Sequence, residues 1–287
     1  MHLLRFQMPL RAPGALHAMA RRKAAALYAK KETRRCAHDD RSVPRHWEGK
    51  PRKLPITRLD RAGVALLEQR LAEATARGVP PHMRFTYPQP SGLEPNDNES
   101  KQQIVVPAEA AVLLLLCSVK GRPSILFEER NRRLAAHSGE ACFAGGKADD
   151  ADTSLAATAV REAVEELGIA AADVRIIGEL PPVPGKDYRL RVHPFVGVLA
   201  GETDPKTLCV SRNEVHRAFA LPLEYFFNPA NSTMVRFRQS RIRIPVYQTD
   251  KRSLTIWGLT AFILHEFLQR ISAAAPPLSS QKGCRSC

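Results

Sequence analysis

The first 31 residues contain no acidic side chain, although seven are basic: Arg5, Arg11, Arg21, Arg22, Lys23, Lys30 and Lys31. There is also no serine before Ser42. An acid-free, Arg-rich start whose Ala20, Ala24, Leu27 and Tyr28 share one helical face has the composition of an organelle transit peptide. A mitochondrial presequence is therefore the expectation. The missing serine leaves open a disordered basic arm or an unused upstream start, and with them a cytoplasmic or peroxisomal location. The ending Arg285-Ser286-Cys287 is not a peroxisomal address of the Ser-Lys-Leu type.

Long apolar runs are lacking too. Arg5 and Arg11 interrupt any secretory core. The strongest run, Ala110 to Val119, is far too short to span a bilayer. The six cysteines (Cys36, Cys117, Cys142, Cys209, Cys284 and Cys287) form no disulfide framework, so a reducing compartment is expected. Cys117 and Cys142 sit in strand-like apolar stretches and are expected in the core. Cys284 and Cys287 make a terminal C-x-x-C, open to a half metal site, a redox pair or a plain tail. A prenylation box is excluded by the non-aliphatic Arg285 and Ser286. No internal repeat is present.

The chain has 287 residues and a net charge of +14, but that charge is uneven. Residues 1–60 carry 15 Lys/Arg against 5 Asp/Glu, which leaves only +4 for the rest. A basic shell for nucleic acid is not supported. The expected organisation is a basic extension over 1–55, a helix and polar linker over 56–103, one folded domain over 104–272 and a tail over 273–287.

Within that frame, residues 58–77 read as a helix with Leu59, Val64, Leu67 and Leu71 on one side, ended by Pro80 and Pro81. Residues 112–119 and 124–127 read as strands joined by a turn at Lys120-Gly121-Arg122-Pro123. Further strands are expected at 140–143, 174–180, 190–200, 235–238 and 242–247, and a last helix at 257–271. His193 and Trp257 read as structural, with Trp257 packing against the sheet. Mixed strands with helices on both sides make an α/β/α sandwich.

The densest chemical signal is GGKADDADTSLAATAVREAVEELGI, residues 145–169. As a helix from about Thr153 to Leu167, Leu155, Ala156, Ala159, Val160, Ala163, Val164 and Leu167 fill one half of the wheel. Glu162, Glu165 and Glu166 fall in an adjoining arc about 100° wide, with Arg161 beside them. Like charges at i, i+3 and i+4 repel by roughly 0.2–0.5 kcal/mol per pair. A divalent cation would reverse that sign, and three carboxylates suit Mg²⁺ or Mn²⁺. A solvated acidic face is the alternative on these residues alone. Gly168 is a candidate left-handed cap.

The run Arg161-Glu162-Ala163-Val164-Glu165-Glu166-Leu167-Gly168-Ile169 resembles the core of the Nudix box. Upstream, the glycines stand at Gly145 and Gly146 and the acids at Asp149, Asp150 and Asp152. That offset resembles the coenzyme A pyrophosphatase branch of the family. The flank ILFEERNRRLAAHSGEACFAGG carries the same likeness through Arg130, Leu134, His137, Gly139, Phe143, Gly145 and Gly146. Ala144 departs from it, standing where the branch has proline, and leaves that position less rigid. Later blocks at 180–182, 192–197, 213–215 and 256–261 extend the resemblance over about residues 104–270.

The resemblance implies the Nudix α/β/α sandwich with a mixed β-sheet. It implies a metal-dependent hydrolase of coenzyme A or acyl-CoA, giving 3′,5′-ADP and (acyl-)4′-phosphopantetheine. Glu162, Glu165 and Glu166 would ligate Mg²⁺ or Mn²⁺, and Arg161 would orient them. A carboxylate of the box, or Glu214 beyond it, would take the proton of the attacking water. Gly145 and Gly146 would let the loop approach helix and substrate. Arg130, Arg132, Arg133 and His137 would meet the phosphates, against the plainer reading of a solvated basic loop. Two other functions stay open: a Nudix hydrolase of another nucleoside diphosphate derivative or capped RNA, and a catalytically silent Nudix fold used for binding. Silent members lose box glutamates, and all three are present here.

Overall fold

The computed structural model describes residues 54–80, 107–134, 137–185, 189–236, 243–249 and 254–272. Among them, helix α1 spans Arg61–Ala76. Strands β1 (Ala108–Val119), β2 (Arg122–Arg130), β3 (Ala141–Cys142) and β4 (Ala144–Lys147) lead into helix α2, Leu155–Leu167. Then come β5 (Val174–Glu179), β6 (Val183–Pro184), β7 (Leu190–Glu202), β8 (Val215–Pro222), β9 (Ser232–Arg236), β10 (Arg243–Gln248), β11 (Thr255–Ile256) and helix α3, Gly258–Ser272. The expectations for the basic extension up to residue 53, the polar linker from Pro81 to residue 103, residues 237–242 of the last two expected strands, Cys36 and the Cys284–Cys287 tail lie outside the described residues.

β1 is the central strand, and its unbroken apolar run follows from burial on both faces. Ala110, Leu114 and Leu116 join one core cluster, while Ala111, Leu113, Leu115 and Cys117 join the other. That split is the period-two alternation of a strand. Helices α1 and α3 cover the first face through Val64, Leu67, Leu71, Phe262 and Phe267. Helix α2 covers the second through Ala159, Ala163 and Leu167. The result is the expected three-layer α/β/α sandwich. Leu67 is fully buried and Leu71 nearly so; each such leucine contributes roughly 1.5–3 kcal/mol.

The main sheet is mixed. β1 runs parallel to β7 and antiparallel to β2 and β4, and β7 is antiparallel to β5 and β6. β9, β10 and β11 form a separate antiparallel sheet. Lys120 and Gly121 alone make the β1–β2 turn, both at positive φ, as a two-residue hairpin of right-handed twist requires. Pro123, expected in the turn, pairs with Ser118 inside β2.

The hairpin then splays. β1 pairs with β2 only over Leu115–Val119, which exposes its earlier half, and β4 fills that edge at Ala110–Leu113. Gly145 and Gly146 therefore lie in a short strand and not in a free turn. On its outer edge β2 pairs with β8, a strand the sequence pattern did not reveal.

Trp257 contradicts its expected role. Its neighbour Ile256 is fully buried, but Trp257 is 47% exposed. Strand alternation turns it outward, and Gly258 at φ +63° then starts α3. His193 is held by Glu109, at 2.8 Å from Nε2, with Glu179 at 3.4 Å from Nδ1.

Candidate active site

The site forms where the β1–β2 hairpin splays and β3–β4 enters beside the C-terminal half of α2. Ser154 caps that helix by accepting from the Ala157 N–H at 3.1 Å, and Gly168 closes it at φ +67°. These caps fix which residues turn towards β4.

Gly145 donates its N–H to Oε2 of Glu166 at 2.8 Å. A Cβ on Gly145 would lie 2.4 Å from the Ala111 carbonyl oxygen, and one on Gly146 would lie 2.3 Å from Oε1 of Glu162. Both glycines are thus required by close approach, the first to β1 and the second to a carboxylate. Glu166 and Glu162 converge on this strand. Glu165 faces outward, with its side chain 58% exposed and paired to Arg161 at 3.3 Å.

Arg161 is anchored by Asp152, with Nε to Oδ1 at 2.9 Å and Nη2 to Oδ2 at 3.0 Å. Asp152 also accepts from Thr158 Oγ1 at 2.8 Å and from the Asp149 N–H at 3.0 Å. From that fork the guanidinium reaches Glu162 Oε1 at 3.1 Å. The hydrogen bond from Arg161, ahead of those from Asp149 and Thr158, holds Asp152 well below the usual carboxylate range. The same pair raises Arg161 further. The sequence signal for Asp152 was only its place in the aspartate-rich loop; its partner lies nine residues on.

The basic segment is arranged differently from the phosphate cradle expected. Arg130 turns inward and stands 3.8 Å from both Glu128 Oε1 and Glu166 Oε1. Arg132 pairs with Glu129 at 2.8 Å, and Arg217 bonds the other oxygen of Glu129 at 2.8 Å. Burial raises Glu129, but these hydrogen bonds outweigh it and hold its pKa below the ordinary value. Arg133 is exposed. His137 is exposed as well, takes φ +54° and pairs with Glu140 at 2.9 Å.

Two residues of this site were not singled out for it. Glu128 is completely buried at the end of β2. Cys142, expected in the core, is half-buried on β3, and its thiol donates to Glu128 Oε1 at 3.1 Å. The pairing Glu128↔Cys142 puts both on one face. The only hint in the sequence was an acidic residue continuing the apolar run Ile125-Leu126-Phe127.

Burial, then the charge of Glu128, pushes Glu166 well above the ordinary carboxylate range, against the pull of the Gly145 N–H. Burial raises Glu128 too, with Glu214 and Glu162 adding to it and Cys142 and Arg130 opposing. Burial also raises Glu162, and Arg161 partly offsets it. Glu214 is exposed; its backbone carbonyl accepts from the Asn131 N–H at 2.6 Å.

Among the described residues, no group of three or more His, Cys, Asp or Glu side chains is placed to hold a metal ion as it stands. The donor set nevertheless fits a hard divalent cation. It is made of carboxylate oxygens that repel one another in a desolvated place, and Oε2 of Glu128 is buried with no hydrogen-bond partner.

The NUDIX domain family matches residues 107–239. The mitochondrial coenzyme A diphosphatase NUDT8 of Homo sapiens is 38% identical over 170 residues, covering 58% of this chain and 70% of that protein. The chain belongs to the Nudix hydrolase family. Nudix hydrolase 3 of Caenorhabditis elegans is 30% identical over 171 residues, covering 55% of this chain and 71% of that protein. The Nudix hydrolase NudL of Pectobacterium atrosepticum is 31% identical over 189 residues, covering 66% and 92%. The matched span opens at β1 and takes in every carboxylate of the site. No helix among the described residues of this Nudix chain is long and apolar enough to cross a membrane.

Proposed function

We propose that this Nudix hydrolase cleaves the diphosphate of coenzyme A or acyl-CoA, releasing 3′,5′-ADP and 4′-phosphopantetheine or its acyl form. The reading is carried by the buried carboxylate group at the β4–α2 junction, where the Gly145 N–H holds Glu166 and Gly146 leaves room for Glu162. The likeness to a coenzyme A diphosphatase supports the choice of substrate.

Glu162, Glu165 and Glu166 would hold Mg²⁺ or Mn²⁺. Such an ion, when bound, neutralises the diphosphate and acidifies a coordinated water. The chain's own residues do the rest. Glu162 and Glu166 are kept in place by Arg161 and Gly145. Glu165 can swing inward from its exposed position, because among the described residues its side chain is paired with Arg161 alone. Arg130 contributes a positive charge within reach of Glu166, and therefore of a phosphate bound there. Glu214, an exposed acid whose charge acts on Glu128 and Glu162, would be one carboxylate able to take the proton of the attacking water.

Incubation of the full chain with coenzyme A, acetyl-CoA, ADP-ribose and a capped dinucleotide tests the reading. Release of 3′,5′-ADP at the highest kcat/KM from the coenzyme A substrates is expected. Preferred cleavage of either of the others would overturn the substrate assignment while keeping the hydrolase. We further propose a mitochondrial location, supported by the basic, acid-free start and by the relative described as mitochondrial. A fusion of residues 1–60 to a fluorescent protein should enter mitochondria; retention outside would overturn it.

A further inference from the structure

Glu128 lies outside the box helix, yet it is the most enclosed carboxylate of the site. Its side chain is fully buried. Oε1 accepts from Cys142 Sγ at 3.1 Å and has Arg130 at 3.8 Å. Oε2 is buried without any hydrogen-bond partner. Glu214 and Glu162 press their charge on it, and its own charge acts on Glu166.

Such an arrangement is costly as a purely structural device. A buried carboxylate oxygen with no donor loses its hydration and gains nothing in return. The strand itself, Ile125-Leu126-Phe127, is apolar, and Leu126 on the same face packs under α2. An apolar residue at position 128 would continue that packing at no electrostatic cost. Arg130 does not settle the account, since its guanidinium is shared at 3.8 Å with Glu166 and touches only Oε1.

We propose that Glu128 is a further ligand of the divalent cation at this site, supplied by β2 opposite the helix glutamates, with the Cys142 thiol positioning it. The thiol occupies Oε1, which leaves the unpartnered Oε2 for the ion. Oxygen donors from two elements clamp a hard cation between strand and helix, and the ion couples the splayed hairpin to α2. The inference rests on the reading that a divalent cation is held by the box glutamates.

The test is Mn²⁺ binding to the full chain, without substrate, followed by electron paramagnetic resonance. Wild type is compared with Glu128→Gln and with Glu162→Gln as the reference for a box ligand. Glu128→Gln should raise the Kd for Mn²⁺ by at least about tenfold. It should leave the metal-free Tm at or above the wild-type value, because a repelling buried charge is gone. A smaller change in Kd, or a lower metal-free Tm with unchanged Mn²⁺ affinity, would make Glu128 structural and overturn the proposal. If Glu128→Gln does not fold, Glu128→Met is judged by the same criterion. If wild type and all variants fail to bind Mn²⁺, the underlying metal reading fails as well; if only Glu128→Gln matches wild type, that reading stands and this inference alone is lost.

Discussion

Gly145 and Glu166 are joined by a 2.8 Å hydrogen bond from backbone N–H to carboxylate, across 21 residues of sequence. The bond ties β4, which fills the open edge of the central strand, to the last turn of α2. It fixes the carboxylate before any ligand arrives, and the neighbouring Gly146 does the same for Glu162 by leaving it space.

The two glycines should therefore fail differently. Gly145→Ala sets a methyl group against the β1 backbone at a positive φ, so the loss should be in stability, about 1–3 kcal/mol. Gly146→Ala meets only the Glu162 side chain, which must turn away. Its kcat should drop by about 10²-fold with the fold kept. Denaturant melts and steady-state kinetics on both variants check this. Equal effects of the two on stability and on kcat would contradict it.

Asp152 should matter for catalysis although it reaches the box glutamates only through Arg161. Asp152→Asn removes the charged fork that aims Arg161 at Glu162. A loss of about tenfold in kcat, with KM little changed, is expected. Arg161→Lys should be no better tolerated, because a lysine cannot hold Asp152 and Glu162 together in one planar fork. Rescue of kcat by Arg161→Lys would show that charge alone is needed.

The pH dependence of the metal-free protein follows from Glu128 and Glu166. Their folded-state pKa values are raised, to about 7 and about 9, first by burial, with Glu214 and Glu162 adding to Glu128 and Glu128 and Glu162 adding to Glu166. For raised carboxylates the protonated form is favoured in the folded state. Their contribution is therefore fully present below the ordinary carboxylate value and is lost as pH rises through the raised values. Metal-free Tm should fall between about pH 5 and pH 9, and added Mn²⁺ should flatten that fall. A Tm that rises over this window without metal would contradict the coupling.

Some of this was legible in the sequence. The apolar period and Gly168 gave the end of α2 to the residue, whereas its start was expected about two residues early, because the Ser154 cap was not read from the sequence. The burial of β1 on both faces is legible in its unbroken apolar run. What was not legible depends on pairing at a distance. β8 buries only three of its eight residues and shows no clean alternation. Glu128 looks like an ordinary strand-end acid until β3 brings Cys142 opposite it. Arg130 looks like a free cation until its strand turns it onto Glu128 and Glu166.

Trp257 is the reverse case, a residue whose chemistry promised burial and whose register denied it. Trp257→Ala should change stability by no more than about 0.5 kcal/mol, whereas Ile256→Ala, from a fully buried position, should cost about 2–5 kcal/mol. Urea melts of the two variants separate these outcomes; a Trp257→Ala loss as large as that of Ile256→Ala would place the indole in the core.

The most direct test of the account is hydrolysis of coenzyme A by the full chain in Mg²⁺, with Glu166→Gln measured beside it. The site described here predicts release of 3′,5′-ADP by the wild type. It also predicts a loss in the variant of at least about 10²-fold in kcat, with the fold intact. Equal turnover by both proteins would contradict a role for the carboxylate that Gly145 holds, and no turnover by the folded, metal-loaded wild type would contradict the coenzyme A assignment.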